Sequence, residues 1–220
     1  MSIYLIRHAE SLANVNPKTY SKYHNWDMPL TEDGQLQAES AGKILLHEEK
    51  LLPSIAIHSS PYLRCTETSK IIFKQLNSTK QPTTNLLLSE ISFGEQEGCQ
   101  VEHFEERPVE KHYAEKMGVL HYRTLRGESF LDLYARVNVF IQQHKFFEHI
   151  PFLIIVSHAA VCIMLHYALT NTDFNFDILK TKASKYWPNC AIRKYISTHN
   201  SFKYDRVINR DIADYEDILD

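Results

Sequence analysis

The sequence predicts an α/β protein: a three-layer sandwich whose largely parallel central sheet is flanked by helices. Two observations lead there. Short apolar runs at Ile3–Ile6, Ile55–Ile57 and Phe152–Val156 have the length of buried strands. Each is followed by a segment whose apolar residues recur at helical spacing, and strands alternating with helices build a sheet covered on both faces.

Ile3–Ile6 ends at Arg7 and His8, so the first strand delivers two polar side chains to its C-terminal end. From Ala9 to Pro29 the chain is polar and aromatic, broken by Asn14, Asn16, Pro17, Asn25 and Pro29, which predicts a short helical start and then a long loop. Thr31 is positioned to cap a helix on which Ala38, Ala41, Ile44 and Leu45 share one face, ending near Leu52-Pro53. After the strand at Ile55–Ile57, Ser60 followed by Pro61 predicts a cap and a first helical position, with Arg64 in the first turn. Thr84–Leu88 reads as a third strand running up to Glu90. Cys99–Arg126, rich in Glu, Lys, His and Tyr and interrupted by Pro108 and Gly118, reads as a lid-like insertion of one or two short helices. Phe130, Leu133, Val137, Phe140 and Ile141 follow helical spacing, so 128–147 is an amphipathic helix. Phe152–Val156 is a strand with Ser157 and His158 at its end, and Ala160–Leu169 a helix. Cys190–Ser197 and Phe202–Ile208 are two strands around a Thr198–Ser201 turn, and an acidic tail starts at Arg210.

At 220 residues, with 44% hydrophobic and 23% charged residues, the chain is expected to form one domain over residues 1–220 with the insertion at about 99–126. The net charge, 24 basic minus 27 acidic residues or -3, comes with no long block of one sign, so neither a nucleic-acid nor a membrane-surface partner is expected. Cys65, Cys99, Cys162 and Cys190 form no C-x-x-C pair, which points to buried thiols rather than zinc or redox chemistry. Met1-Ser2 leads straight into the first strand, so a cytoplasmic protein is expected. The apolar stretch 150–169 carries Pro151, Ser157, His158 and His166 and divides into a strand and a helix rather than a membrane span.

Four polar clusters follow the ends of predicted strands: Arg7-His8, Arg64, Glu90 and Ser157-His158. In an open α/β sheet these ends share one rim, where residues distant in sequence converge. Two arginines, two histidines and a carboxylate suit a phosphate monoester: guanidinium groups bind the non-bridging oxygens, a histidine attacks phosphorus, and the carboxylate protonates the leaving oxygen.

The run Leu5-Ile6-Arg7-His8-Ala9-Glu10-Ser11 resembles the R-H-G-E signature that opens the histidine phosphatase superfamily, which includes the cofactor-dependent phosphoglycerate mutases. Further matches follow in order: Pro29-Leu30-Thr31-Glu32-Asp33-Gly34 with Gln37-Ala38; Ser59-Ser60-Pro61 with Arg64 and Thr68; Glu90 with Phe93-Gly94 and Glu97-Gly98; and Gly127-Glu128-Ser129 before Val156-Ser157-His158. The loop with Asn16, Pro17 and Tyr20 looks most like the branch of broad-specificity acid phosphatases from yeast and plants. The resemblance implies a phosphoglycerate mutase-like fold and a metal-independent phosphomonoester hydrolase. In it His8 is the nucleophile, Arg7, Arg64 and His158 hold the phosphoryl group, and Glu90 is the acid and base. Asn14, Ser157 and the Ala159 backbone N–H would add phosphate contacts. No cofactor and no metal are expected. Ala9 and Ala159 stand where glycine is commoner, which would crowd the pocket floor slightly.

The expected partner is a small phosphorylated metabolite, with a phosphoprotein second; the oligomeric state, a homodimer included, stays open. Three other readings remain: a phosphoglycerate mutase, for which Lys111, Lys116, Arg123 and Arg126 would bind a substrate carboxylate; a catalytically silent binding module; and a metal hydrolase using His8 and His158 without a carboxylate cluster. Taken singly, a histidine after a strand is more often structural, and Glu128-Ser129 would suit any helix start.

Overall fold

The computed structural model describes residues 1–48, 55–76, 78–97, 112, 115–144, 151–180, 183–198 and 201–209. Six strands form one sheet: β1 (Ser2–Arg7), β2 (Ile55–Ser59), β3 (Thr83–Thr84), β4 (Phe152–Ser157), β5 (Ile192–Ser197) and β6 (Phe202–Val207), in the order β3-β2-β4-β1-β5-β6. The pairings from β3 through β1 are parallel, and β5 and β6 add as antiparallel neighbours. The helices are α1 (Leu12–Val15), α2 (Glu32–Glu48), α3 (Leu63–Leu76), α4 (Phe130–His144), α5 (Ala159–Thr170), α6 (Phe176–Lys180) and α7 (Ala183–Tyr186).

Side chains alternate across the sheet, and this builds the three layers. Ile3 and Leu5 of β1, with Leu153 and Ile155 of β4, pack against Leu133, Val137 and Phe140 of α4 and against α5. Tyr4 and Ile6, with Ile154 and Val156, face the other way onto Ala38, Ala41 and Leu45 of α2 and Cys65 and Ile72 of α3. Among the described residues no helix is long and apolar enough to cross a membrane.

Thr31 caps α2 as expected: Gly34 N–H donates to its Oγ1 at 2.9 Å. Gly34 has a second reason to be glycine, because a Cβ there would lie 2.0 Å from the Glu10 carbonyl oxygen. The helix start rests directly on the turn that follows His8, and backbone rather than a flexible side chain blocks the space. Gly34→Ala is therefore expected to cost about 2–3 kcal/mol, which chemical denaturation would show as a lower midpoint at unchanged slope.

Several boundaries differ from the sequence expectation. The third strand is only Thr83–Thr84; Asn85 Oδ1 accepts from Leu87 N–H at 2.9 Å, turning Leu86–Leu88 into a 3-10 helix. Helix α3 begins at Leu63 and not at Pro61; the Ser60 hydroxyl accepts from Tyr62 N–H at 3.3 Å and also meets His158 Nε2 at 2.8 Å. Helix α4 begins at Phe130, capped by Ser129, whose Oγ accepts from Asp132 N–H while the Asp132 carboxylate accepts from Ser129 N–H and Oγ. Cys190 precedes β5 in the left-handed region at φ 56, where its N–H faces the Arg7 carbonyl at 3.2 Å. The short helices α6 and α7 had no counterpart in the sequence reading. Most of the expected insertion at 99–126, the chain around Leu52-Pro53 and the tail from Arg210 lie outside the described residues. The insertion's described end folds back onto the turn at Phe93, whose carbonyl accepts from Thr124 Oγ1 at 2.7 Å.

His166 on α5 is 4% exposed and meets the Tyr195 hydroxyl through Nδ1 at 2.9 Å. Burial, helped by Arg193, lowers its pKa to about 4. The folded value lies below the unfolded one of about 6.5, so the unfolded state takes up the proton first as pH falls, and stability is lost between about pH 6.5 and 4. The loss at this residue is about 3 kcal/mol when complete. Unfolding midpoints at pH 7 and pH 4.5 should differ less in His166→Gln than in the parent; an equal difference would refute this assignment.

Candidate active site

Strand register assembles the site. Arg7 on β1 lies opposite Ser157 on β4, and Ser59 on β2 lies opposite Val156. The next residues on three neighbouring strands, His8, His158 and Ser60, therefore leave the sheet side by side at one edge. Two further bonds hold this edge: His8 N–H donates to the Ser157 carbonyl at 2.8 Å, and Ser60 N–H to the Val156 carbonyl at 2.9 Å.

His8 Nδ1 lies 2.8 Å from the Ala9 carbonyl oxygen, so Nδ1 carries the proton and Nε2 keeps a lone pair. Arg64 Nε donates to that Nε2 at 3.2 Å. Burial first, then the Arg64 and Arg7 charges, hold the His8 pKa well below the usual imidazole value, so the ring is neutral at neutral pH. The Ala9 turn is pinned to α3: Ala9 N–H donates to Thr68 Oγ1 at 3.0 Å, and Thr68 donates to the Arg64 carbonyl at 2.7 Å. The Ala9 methyl is fully buried in the core cluster with Leu30 and Ala38, so it does not crowd the pocket floor.

Arg64, in the first turn of α3, is 4% exposed and spans the site. Its Nη1 donates to the Asn25 carbonyl at 2.7 Å, its Nη2 lies 3.1 Å from His158 Nδ1, and its guanidinium sits 5.0 Å above the Tyr62 ring. An arginine only donates, so His158 Nδ1 is the acceptor and its Nε2–H faces the Ser60 hydroxyl. Arg7, 7% exposed, donates through Nη1 to the Trp187 carbonyl at 3.0 Å. Burial brings its pKa down to about 10, which leaves it cationic at neutral pH. Among the described residues neither arginine is salt-bridged to a carboxylate.

Glu90 closes the site. Its side chain is 18% exposed, with Oε1 accepting from Ile91 N–H at 3.0 Å and Oε2 at 3.5 Å from His158 Nδ1. Burial raises its pKa against the opposing pull of Arg64 and its own backbone hydrogen bond. Arg136 positions it, donating to the Leu87 carbonyl at 2.7 Å and the Glu90 carbonyl at 3.1 Å while Glu128 holds the same guanidinium at 2.7 and 2.9 Å. Glu128 thus does more than start a helix.

The structure brings Arg7, His8, Arg64, Glu90 and His158 together, and the three supporting residues have different surroundings. Ser157 Oγ is fully buried and donates to the Leu88 carbonyl at 2.7 Å, so its hydroxyl proton points away from the phosphoryl pocket. Ala159 opens α5, where a first-turn N–H has no partner within the helix and lies at the positive end of the dipole. Asn14 is exposed; its Oδ1 accepts from Ser11 and, at 3.2 Å, from Asn189 Nδ2. Sequence reasoning missed Asn189, which donates at 2.9 Å to the His8 carbonyl, together with Trp187, Cys190 and Asn25. Three of these act wholly or partly through backbone atoms, which any residue type supplies; the Trp187-Pro188-Asn189-Cys190 run just before β5 was the one available signal. Among the described residues no group of three or more His, Cys, Asp or Glu side chains is placed to hold a metal ion.

A cleft of about 970 Å³ opens from Glu90, walled by the aromatic segment around Tyr20 and Trp26 on one side and by the 86–97 segment on the other.

The sequence model of the histidine phosphatase superfamily (branch 1) matches residues 3–209. A phosphoglycerate mutase-like protein of Arabidopsis thaliana is 31% identical over 153 residues, 64% of this chain and 52% of that protein. The 6-phosphofructo-2-kinase/fructose-2,6-bisphosphatase of Caenorhabditis elegans is 27% identical over 168 residues, 76% of this chain and 34% of that protein. The chain thus spans about half the length of the first of these relatives and about a third of the second. The α-ribazole phosphatase of Shigella flexneri superposes with a TM-score of 0.72 at 20% identity, covering 94% of this chain and 96% of that one. YhfR of Bacillus stearothermophilus gives 0.70 at 25% identity, covering 92% and 94%. With a family match over nearly its whole length and the shared fold, the chain belongs to the histidine phosphatase superfamily, branch 1.

Proposed function

We propose that the protein hydrolyses phosphate monoesters through a phosphohistidine on His8. The observation that carries this reading is a neutral His8 whose unprotonated Nε2 accepts from the buried Arg64 guanidinium, beside a second buried arginine without a carboxylate partner among the described residues and a carboxyl group whose pKa is raised. Two buried cations around a nucleophile suit an anion that brings its own negative charge.

In the first step His8 Nε2 forms a bond to phosphorus as the ester P–O bond breaks, and Glu90, protonated, gives its proton to the departing oxygen. Arg7 and Arg64 stabilise the charge that spreads over the transferring oxygens. His158, neutral and held by Ser60, supports the same group through Arg64. In the second step water attacks phosphorus, Glu90 as carboxylate takes the water's proton, and the P–N bond breaks to release phosphate and return His8. None of these steps uses a metal.

The α-ribazole phosphatase fold and the phosphatase half of the nematode relative's printed name favour hydrolysis on a small phosphorylated metabolite. The test is hydrolysis of p-nitrophenyl phosphate from acidic to neutral pH with EDTA present, beside a 3-phosphoglycerate mutase assay. EDTA-resistant hydrolysis without mutase turnover is expected. Mutase turnover that exceeds hydrolysis would overturn the reading in favour of the mutase. A folded protein inactive in both assays would favour the binding module.

A further inference from the structure

We infer that the cleft outside the phosphoryl pocket selects phosphate monoesters whose alcohol carries a planar aromatic ring and no anionic group. The inference rests on the phosphatase reading for its reaction and on the cleft itself for its selectivity.

The cleft has room for a ring with its linker, at about 970 Å³, and Glu90 stands at its inner end, where the leaving oxygen would be. An aromatic path runs outward from the phosphoryl pocket. The Tyr62 ring lies edge-on to His158 with centroids 5.0 Å apart, and Trp26 stacks on Tyr62 at 4.3 Å and 32°. Tyr62 is 4% exposed, whereas Trp26 is 48% exposed and lines the cleft. A half-exposed indole on the wall of a concave site offers a face for offset or edge-on stacking of a second ring. The wall is held in place: Asn25, next in sequence to Trp26, receives Arg64 Nη1 on its carbonyl and donates from Nδ2 to Glu97 Oε2 at 3.0 Å, which ties the two sides of the cleft together.

Charge supplies the second half of the selectivity. Among the described lining residues Arg136 is the one arginine or lysine, and it is committed to Glu128 and to two carbonyls. Asp27 and Glu97 also line the cleft, so among the described residues two carboxylates face it without an arginine or lysine to balance them. The phosphoryl pocket is therefore cationic and the leaving-group cleft anionic. A second phosphate or a carboxylate on the substrate would meet repulsion there, and this discriminates against phosphoglycerates even where the phosphoryl pocket accepts them.

Benzyl phosphate, glycerol 3-phosphate and 3-phosphoglycerate all release primary alkoxides, so differences in kcat/KM among them report mainly the cleft. Benzyl phosphate is expected to lead glycerol 3-phosphate by roughly 10-fold, and glycerol 3-phosphate to lead 3-phosphoglycerate by a similar factor that shrinks as salt is added. Trp26→Ala should lower the benzyl-to-glycerol ratio, and Asp27→Lys should raise the phosphoglycerate-to-glycerol ratio. A parent that prefers 3-phosphoglycerate, or ratios that neither variant moves, would overturn the inference. Loss of turnover on all three esters would refute the phosphatase reading instead. Tryptophan fluorescence then still decides the selectivity: benzylphosphonate is expected to bind more tightly than 3-phosphonopropionate, and equal or reversed binding sinks it.

Discussion

His8→Ala is expected to lower kcat/KM for p-nitrophenyl phosphate by roughly 10⁴-fold or more while leaving the protein folded. The Ser60 hydroxyl and the Cys65 thiol also lie against His158, but burial pushes that thiol's pKa up to about 12, and His8 is the ring whose reactive atom two hydrogen bonds define. The Ala9 carbonyl takes the Nδ1 proton, and Arg64 Nε marks Nε2 as the lone-pair side. The two arginines would still bind phosphate in the variant, so substrate or phosphate binding should survive the loss of turnover. Rapid acid-free quenching with labelled substrate should trap a protein-bound phosphoryl group in the parent and none in the variant. Activity within 10-fold of the parent would show that another group attacks phosphorus.

Glu90→Gln is the second large effect, expected at roughly 10²–10⁴-fold for alkyl phosphates. A carboxyl that delivers a proton to the leaving oxygen matters most when that oxygen is basic, so p-nitrophenyl phosphate should suffer much less than glycerol 3-phosphate. The pH profile carries the sign. His8 must be neutral, and its pKa is lowered below the usual imidazole value, so activity falls only when acid protonates it. Glu90 must be protonated for the first step, and its pKa is raised above the usual carboxylate value, so activity falls as pH rises through that value. The parent should therefore show a bell shifted to acidic pH, and Glu90→Gln should lose the basic limb alone. An equal loss on both esters with the basic limb intact would assign the limb to another group.

Five of the eight residues singled out from the sequence stand together in the folded site; Arg7, His8, Arg64 and His158 were readable because each lies at the end of a strand or in a first helical turn, whereas Glu90 follows a 3-10 helix where a strand was expected. The apolar runs at 3–6, 55–57 and 152–156 announce strands by composition, and whatever polar residue comes next is carried to the same edge. Ser157 donates its hydroxyl proton to the Leu88 carbonyl, a partner 69 positions away that the sequence does not announce. The short β3 was misread for a different reason: the Asn85 side chain takes the N–H of Leu87, two residues on, and turns the chain into a 3-10 helix where a strand was expected.

By itself, the sequence determined the fold class, the rim on which chemistry gathers and the residues that reach it, since hydrophobic periodicity and strand length are local properties. Only the tertiary structure decided which atom of His8 is free, that Glu90 is held by the Glu128–Arg136 pair, and that Trp187, Asn189 and Cys190 buttress Arg7 and His8 from more than 170 positions away. It also decided that, among the described residues, Trp26, Asp27 and Glu97 line one cleft while Arg7 and Arg64 stand beside His8. Those features depend on hydrogen bonds, burial and charge summed over segments distant in the chain, and none of these leaves a mark in the spacing of residues along it.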